Sequence, residues 1–85
     1  MAKLRVTTTD NTTTDYEITP LIEFAFEQYA KKGFHKALLE DQKQSEIYWL
    51  CWEAQRRAGV TVKPFGEAYL ETIVKVEVLD SDPLA

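Results

Sequence analysis

The side chains that most often carry out chemistry in proteins are scarce in this sequence. His35 is the only histidine and Cys51 the only cysteine among its 85 residues. Two isolated residues of this kind do not provide the clustered ligands of a zinc site. They also do not provide the acid, base and nucleophile of a histidine-based catalytic set. We therefore expect neither a metal site nor a catalytic residue here.

Carboxylates and glycines lead to the same expectation. Glu23 and Glu27 are four residues apart in a segment that we predict to be helical, where such a pair more often forms a solvated face than a catalytic dyad. The glycines at 33, 59 and 66 are dispersed, so they form no glycine-rich loop that could hold a phosphate. The sequence predicts a protein that is not an enzyme and binds no cofactor.

The most informative stretch is the aromatic run in SEIYWLCWEAQRRAG, residues 45–59, where six consecutive apolar residues stand between Glu46 and Glu53. In a helix, side chains step about 100° per residue, so such a run points outward on every side. One apolar stripe is enough for a small core. We predict that Ile47, Leu50 or Cys51, Ala54 and Ala58 form this stripe, with Leu50, Cys51 and Ala54 facing the core. The charged residues that should stay solvated are Glu46, Glu53, Arg56 and Arg57.

Tyr48, Trp49 and Trp52 lie outside that stripe, and two explanations remain open. If the helix is central, other elements enclose the tryptophans as well. Alternatively, part of this aromatic surface is exposed and binds another protein, because aromatic residues in contiguous patches are enriched at interfaces. In the second case, Phe65 and Tyr69 would supplement the protein-binding surface.

Size and charge narrow the function classes further. A chain of 9.8 kDa with 45% hydrophobic residues fits one globular domain, predicted at 1–79 with an acidic flexible tail at 80–85. Its net charge of −4 disfavours nucleic-acid binding. No apolar run approaches the roughly 20 residues of a membrane span, and the lone cysteine suits a reducing cytoplasm. We expect no nucleic-acid or membrane partner.

The amino-terminal half contains clear signals for a hairpin and a helix. Apolar residues alternate with β-branched residues on both sides of Asp10-Asn11, which predicts a β-hairpin from about Leu4 to Ile18. A helix should then begin near Pro20, capped by Thr19. We expect Gly33 to close this helix in a left-handed conformation.

Two more helices are predicted downstream. One carries the aromatic run and begins between Lys36 and Asp41, either as one long helix or after a short turn. The other should start at Pro64. The segment VKVEVL alternates like a strand. The predicted fold is therefore α+β and mainly helical, with the hairpin packed on three helices and a short carboxyl-terminal strand as a further option.

The threonine-rich hairpin and the three segments that follow it resemble the short tail assembly chaperones of long-tailed bacteriophages; the segments are TPLIEFAFEQY, KQSEIYWLCWEAQRRAGV and KPFGEAYLETI. The resemblance covers residues 6–78. It implies a non-enzymatic viral protein that coats the tape measure protein and recruits tail tube subunits in the host cytoplasm. It also implies absence from the finished particle, a mainly helical domain, and often a longer frameshifted product with the same amino-terminal domain.

Two other functions stay open. A small structural virion component, such as a connector or tail-completion protein, would bury the same aromatic residues permanently against its neighbours. An acidic regulator of a host protein would need only the negative charge and would bind in a salt-sensitive way. Self-association is open in each case.

Overall fold

The computed structural model of the protein describes residues 2–41 and 43–80. Its elements, in chain order, are β1 (Ala2–Thr8), β2 (Thr13–Glu17), α1 (Pro20–Ala30), α2 (Phe34–Lys36), a π-helical turn (Ala37–Asp41), α3 (Gln44–Arg57), α4 (Glu67–Leu70) and β3 (Ile73–Asp80). Of the predicted acidic tail, Asp80 belongs to β3, and residues 81–85 lie outside the described residues.

The predicted hairpin is confirmed. β1 and β2 pair antiparallel, with Leu4 opposite Tyr16. In the connecting turn, the Asp10 carboxylate accepts hydrogen bonds from the Thr8 hydroxyl and the Thr12 backbone N–H. Asn11 takes the left-handed conformation that the turn requires, with φ of 67°. Asparagine tolerates this region better than most residues, which explains how the turn closes without glycine.

The prediction of a mainly helical fold is wrong. β3 pairs antiparallel with β1, so the sheet has three strands in the order β2-β1-β3 and the fold is a mixed α+β one. Val6 lies opposite Val76, and Leu4 opposite Val78. These apolar pairs share one face of the sheet, because opposed residues in an antiparallel pair project to the same side. The carboxyl-terminal strand is thus a full member of the sheet, with eight residues.

Helix α1 begins as predicted but ends differently. Thr19 accepts a hydrogen bond from the Ile22 N–H, and Pro20 occupies the first turn. Lys31, not Gly33, adopts the left-handed conformation at the end of the helix, with φ of 61°. Gly33 has an ordinary φ of −65° and precedes α2. The helix therefore ends before the glycine, and Phe34 enters the core.

Helix α3 begins at Gln44, after α2 and the π-helical turn, so its start lies beyond the interval predicted between Lys36 and Asp41. The Lys32 ammonium joins these elements, with its nitrogen 2.6 Å from an Asp41 oxygen and 3.0 Å from a Glu46 oxygen. This ion pair leaves Glu46 partly buried, not fully solvated as predicted.

The predicted extent of the third helix is also wrong. Residues from Pro64 onward form only one helical turn, Glu67–Leu70. Ile73 begins β3, so the helix does not continue beyond Leu70. The Thr72 hydroxyl and N–H both bind the carbonyl of Tyr69, which ends the turn.

The core lies between one face of the sheet and the helices. It consists of buried apolar residues from every layer: Leu4, Val6, Ile18, Ile22, Phe26, Phe34, Ala37, Leu50, Cys51, Ala54 and Tyr69.

Candidate protein-binding surface

Helix α3 places most of its predicted stripe in the core. Ile47, Leu50, Cys51 and Ala54 are buried, which confirms that part of the prediction. Ala58 is exposed, because the helix ends at Arg57 and Ala58 is only its carboxyl-terminal cap. The prediction that Glu53 stays solvated is wrong, because its side chain is only 2% exposed. Arg56 donates two hydrogen bonds to one Glu53 oxygen, at 3.0 and 2.8 Å, and Arg57 donates one to the other at 2.9 Å. The carboxylate can be buried because both arginines neutralise it.

The two tryptophans lie at the centre of a connected series of rings. Trp49 stacks on Tyr29, with ring centroids 4.3 Å apart and planes 6° from parallel. It contacts Trp52 at 6.0 Å, and Trp52 contacts Phe65 edge-on at 6.1 Å. We call Tyr29, Trp49, Trp52 and Phe65 the aromatic row. Its members are half-buried or exposed, so the two tryptophans both support the core and present surface.

Trp52 is held in place by groups outside the row. Its indole N–H donates a 2.8 Å hydrogen bond to the Lys63 carbonyl. The Arg56 guanidinium lies over the ring, 5.3 Å from its centroid, at a distance typical of a cation–π contact. The Lys63 carbonyl and the Arg56 guanidinium together fix the orientation of the Trp52 ring.

Tyr69 does not belong to the surface predicted for it. Its ring contacts Phe65, but its side chain is only 2% exposed, so it cannot present area to a partner. The Tyr69 hydroxyl donates to the Gln55 side-chain oxygen and lies 3.2 Å from the Cys51 sulfur. Burial raises the pKa of the Tyr69 phenol and raises the pKa of the Cys51 thiol to about 11. These groups form a neutral buried cluster.

Tyr48 is half-buried. It makes none of the ring contacts that join the row in the part of the chain that the structure describes. Of the five predicted binding residues, the structure therefore brings together Trp49, Trp52 and Phe65, leaves Tyr48 to one side and buries Tyr69.

Sequence reasoning missed an apolar strip on α1 that adjoins the row. Leu21, Phe24 and Tyr29 are 54%, 61% and 46% exposed. At roughly 100° per residue they fall within about 140° of the helix circumference, and Tyr29 belongs to both the strip and the row. The signal was visible in the sequence: apolar residues cover more than half of this helix, while Ile22 and Phe26 alone fill its buried stripe.

The strip leads to a groove at the opposite end of α1. The groove has a volume of about 460 Å³, and its lining is formed by Tyr16, Glu17, Thr19, Leu21, Ile22, Ala54, Arg57 and Ala58. The start of α1 thus lies beside the end of α3, whereas Tyr29 near the end of α1 stacks on Trp49. The two helices run antiparallel, with the groove at the start of α1 and the aromatic row at its end.

Residues 2–41 and 43–80 contain neither a candidate metal site nor a candidate membrane-spanning helix. No group of three or more histidine, cysteine or acidic side chains is placed to hold a metal ion. No helix in these ranges has the length and apolarity needed to cross a membrane. Comparison with known proteins finds no matching family model, curated protein or solved structure.

Proposed function

We propose that this protein is a phage tail assembly chaperone that acts in the host cytoplasm, binding the tape measure protein and recruiting tail tube subunits. The observation that carries the proposal is the exposed apolar surface of the α1 strip together with the aromatic row, which Tyr29 joins through its stack on Trp49. The resemblance to short tail assembly chaperones supplies the partner.

The shape of this surface suits a helical partner. Recognition of an amphipathic helix requires an apolar surface with anchor positions along it. The 11 residues of α1 span about 16 Å, so a partner helix of about three turns would reach from the groove to Tyr29. An apolar side chain of the partner would enter the groove beside Leu21, and others would cover Phe24 and Tyr29.

Charge defines the edge of the same surface. Arg56 and Arg57 are partly exposed and stand beside Trp52 and the groove. A polar rim around an apolar centre is the usual anatomy of a protein interface. Many copies bound along one long partner would hold it firmly although each contact is weak.

Intrinsic fluorescence offers a direct test, because both tryptophans of the chain belong to the aromatic row. Titration with a purified helical fragment of the candidate tape measure protein should shift tryptophan emission to shorter wavelength as the row loses water. In co-expression, the chain should keep this fragment in the soluble fraction. No spectral shift and no gain in soluble partner would refute the proposal.

Surface variants make the test specific. Phe24→Ser and Tyr29→Ser should weaken binding while circular dichroism shows an unchanged fold, because the two residues are 61% and 46% exposed. Val60→Ser is the matched control, since Val60 is an exposed apolar residue outside the strip and the row. Equal losses for all three variants would contradict a localised site. Mass spectrometry that finds the protein in purified particles would favour the structural virion component instead.

A further inference from the structure

Strand β3 forms one edge of the three-stranded sheet. Within residues 2–41 and 43–80, no strand pairs with β3 on the side away from β1. Such edges offer unpaired N–H and C=O groups to other chains, and proteins commonly blunt them with short strands, charges or bulges. β3 is eight residues long and pairs with β1 along its length, with one register shift between Thr7 and Thr8.

Apolar side chains are exposed along this edge. Val74 is 62% exposed and Val78 is 39% exposed. Val74 has no partner in β1, because Lys75 lies opposite Thr7 and Ile73 opposite Thr8, so it is the extra residue of a β-bulge. The helices leave both valines uncovered, and each would gain from a neighbouring strand.

The order of side chains along β3 is complementary to itself. Suppose that β3 pairs antiparallel with β3 of a second copy about a two-fold axis at Val76. A residue a given number of positions before Val76 in one copy then lies opposite the residue the same number of positions after Val76 in the other copy. Lys75 then lies opposite Glu77, and Val74 opposite Val78, twice each. Neighbouring registers are worse, because a centre at Lys75 or Glu77 places like charges directly opposite, which is destabilising.

The other sheet edge shows that this property is not general. β2 has only five residues, Thr13–Glu17. Pairing β2 with itself over its whole length centres the contact on Asp15, so two aspartates would face each other. Of the two edges of the described sheet, the β3 edge is the one that combines length, exposed apolar residues and matching charges.

We propose that β3 is a homodimerisation edge, which pairs antiparallel with β3 of a second copy about a two-fold axis at Val76 to form a continuous six-stranded sheet. Lys75 and Glu77, which form a 2.6 Å ion pair within one chain, exchange partners across the interface. This surface is separate from the aromatic row, so the inference goes beyond the proposed function and does not depend on it.

Charge reversal tests the pairing. Sedimentation over a concentration series should show wild-type dimers, and Lys75→Glu or Glu77→Lys should each raise the dimer dissociation constant about tenfold, because two cross-strand pairs change from attraction to repulsion. Glu40→Lys and Lys43→Glu are controls with the same charge changes at exposed positions outside β3, and they should leave the constant unchanged.

Mixing the two charge variants separates pairing between chains from the ion pair within one chain. A heterodimer of Lys75→Glu with Glu77→Lys has opposite charges across the interface, although each chain keeps like charges within itself. Mixing should therefore restore dimers that neither variant forms alone at the same concentration. Val74→Lys is a second probe, because its exposed site accepts lysine in the folded monomer while the dimer would bury it against Val78.

Three results would overturn the proposal. One is a wild-type chain that stays monomeric up to its solubility limit. Another is a dimer that Val74→Lys and both charge variants leave intact. The third is a mixture of folded charge variants that remains monomeric. If a charge variant does not fold by circular dichroism, the effect of Val74→Lys on the dissociation constant decides.

Discussion

The buried carboxylate of Glu53 predicts an asymmetry between its removal and the removal of its partners. The Glu53 side chain is 2% exposed, whereas those of Arg56 and Arg57 are 48% and 39% exposed. Truncating both arginines leaves a buried charge without its three donors. Replacing Glu53 leaves two arginines that water can solvate. The arginine variant should therefore be the less stable one.

The expected magnitudes follow from these contacts. Removing the partners of a buried ion costs about 3–5 kcal/mol, and we expect the lower end because truncated arginines open a path for water. Glu53→Gln keeps a carbonyl acceptor and removes the buried charge, so it should cost about 1 kcal/mol, the scale of one ordinary hydrogen bond. The ranking of the two variants matters more than either value.

Urea unfolding followed by circular dichroism measures these differences. Arg57→Ala alone is informative, because Arg56→Ala also removes the contact with Trp52. Arg5→Ala is the control: it breaks a 2.9 Å ion pair with Asp15 in which both side chains are exposed, and exposed pairs contribute little. The reasoning is refuted if the double arginine variant is no less stable than Arg5→Ala, or if Glu53→Gln is the more damaging change.

Four further outcomes are expected. Leu50→Ala, at a fully buried site, should lower the free energy of unfolding by about 2–5 kcal/mol in urea; a smaller loss would mean that the core collapses around the gap. Lys31→Gly should raise it by about 1 kcal/mol in the same assay, because glycine adopts the left-handed conformation without strain; no gain would argue against that conformation. The Cys51 thiol, buried and with its pKa raised to about 11, should not react with a thiol reagent at pH 8 until urea unfolds the chain; rapid labelling of the native protein would contradict its burial. Hydrogen bonds from Arg5 and Lys32 lower the pKa of Asp15 and Asp41 in the folded protein. As the pH falls, these carboxylates therefore bind protons in the unfolded chain before they do in the folded one. Acid titration should show a stability contribution that is present above their ordinary pKa of 3.8 and is lost as the pH falls through the lowered values.

Local signals in the sequence were enough for several elements. The Asp10-Asn11 turn, the Thr19 cap and Pro20 act within a few residues, so the hairpin and the start of α1 could be predicted without tertiary contacts. The stripe of Leu50 and its neighbours follows from helical periodicity alone. The surplus of aromatic residues was visible for the same reason, although not their arrangement.

Long-range contacts decided the rest. The segment after Pro64 has helical spacing, yet β1 offers a partner strand, and pairing with it draws Ile73 into the sheet. The residue type of Glu53 predicted a solvated side chain, because burial of a lone carboxylate is costly. Helical spacing already places Arg56 and Arg57 beside Glu53, three and four residues further along the chain, but only the packing of α3 shows that the carboxylate between them is buried.

The candidate surface divides in the same way. Sequence by itself determined that this chain has more aromatic side chains than its core stripe needs, because residue type and helical period are local properties. Packing decided which of them stay exposed. Tyr69, in the short helix α4, is buried in the core, whereas Tyr29 is brought onto Trp49 from another helix. Exposure depends on which elements meet, and residues far apart in the chain meet only in the tertiary structure.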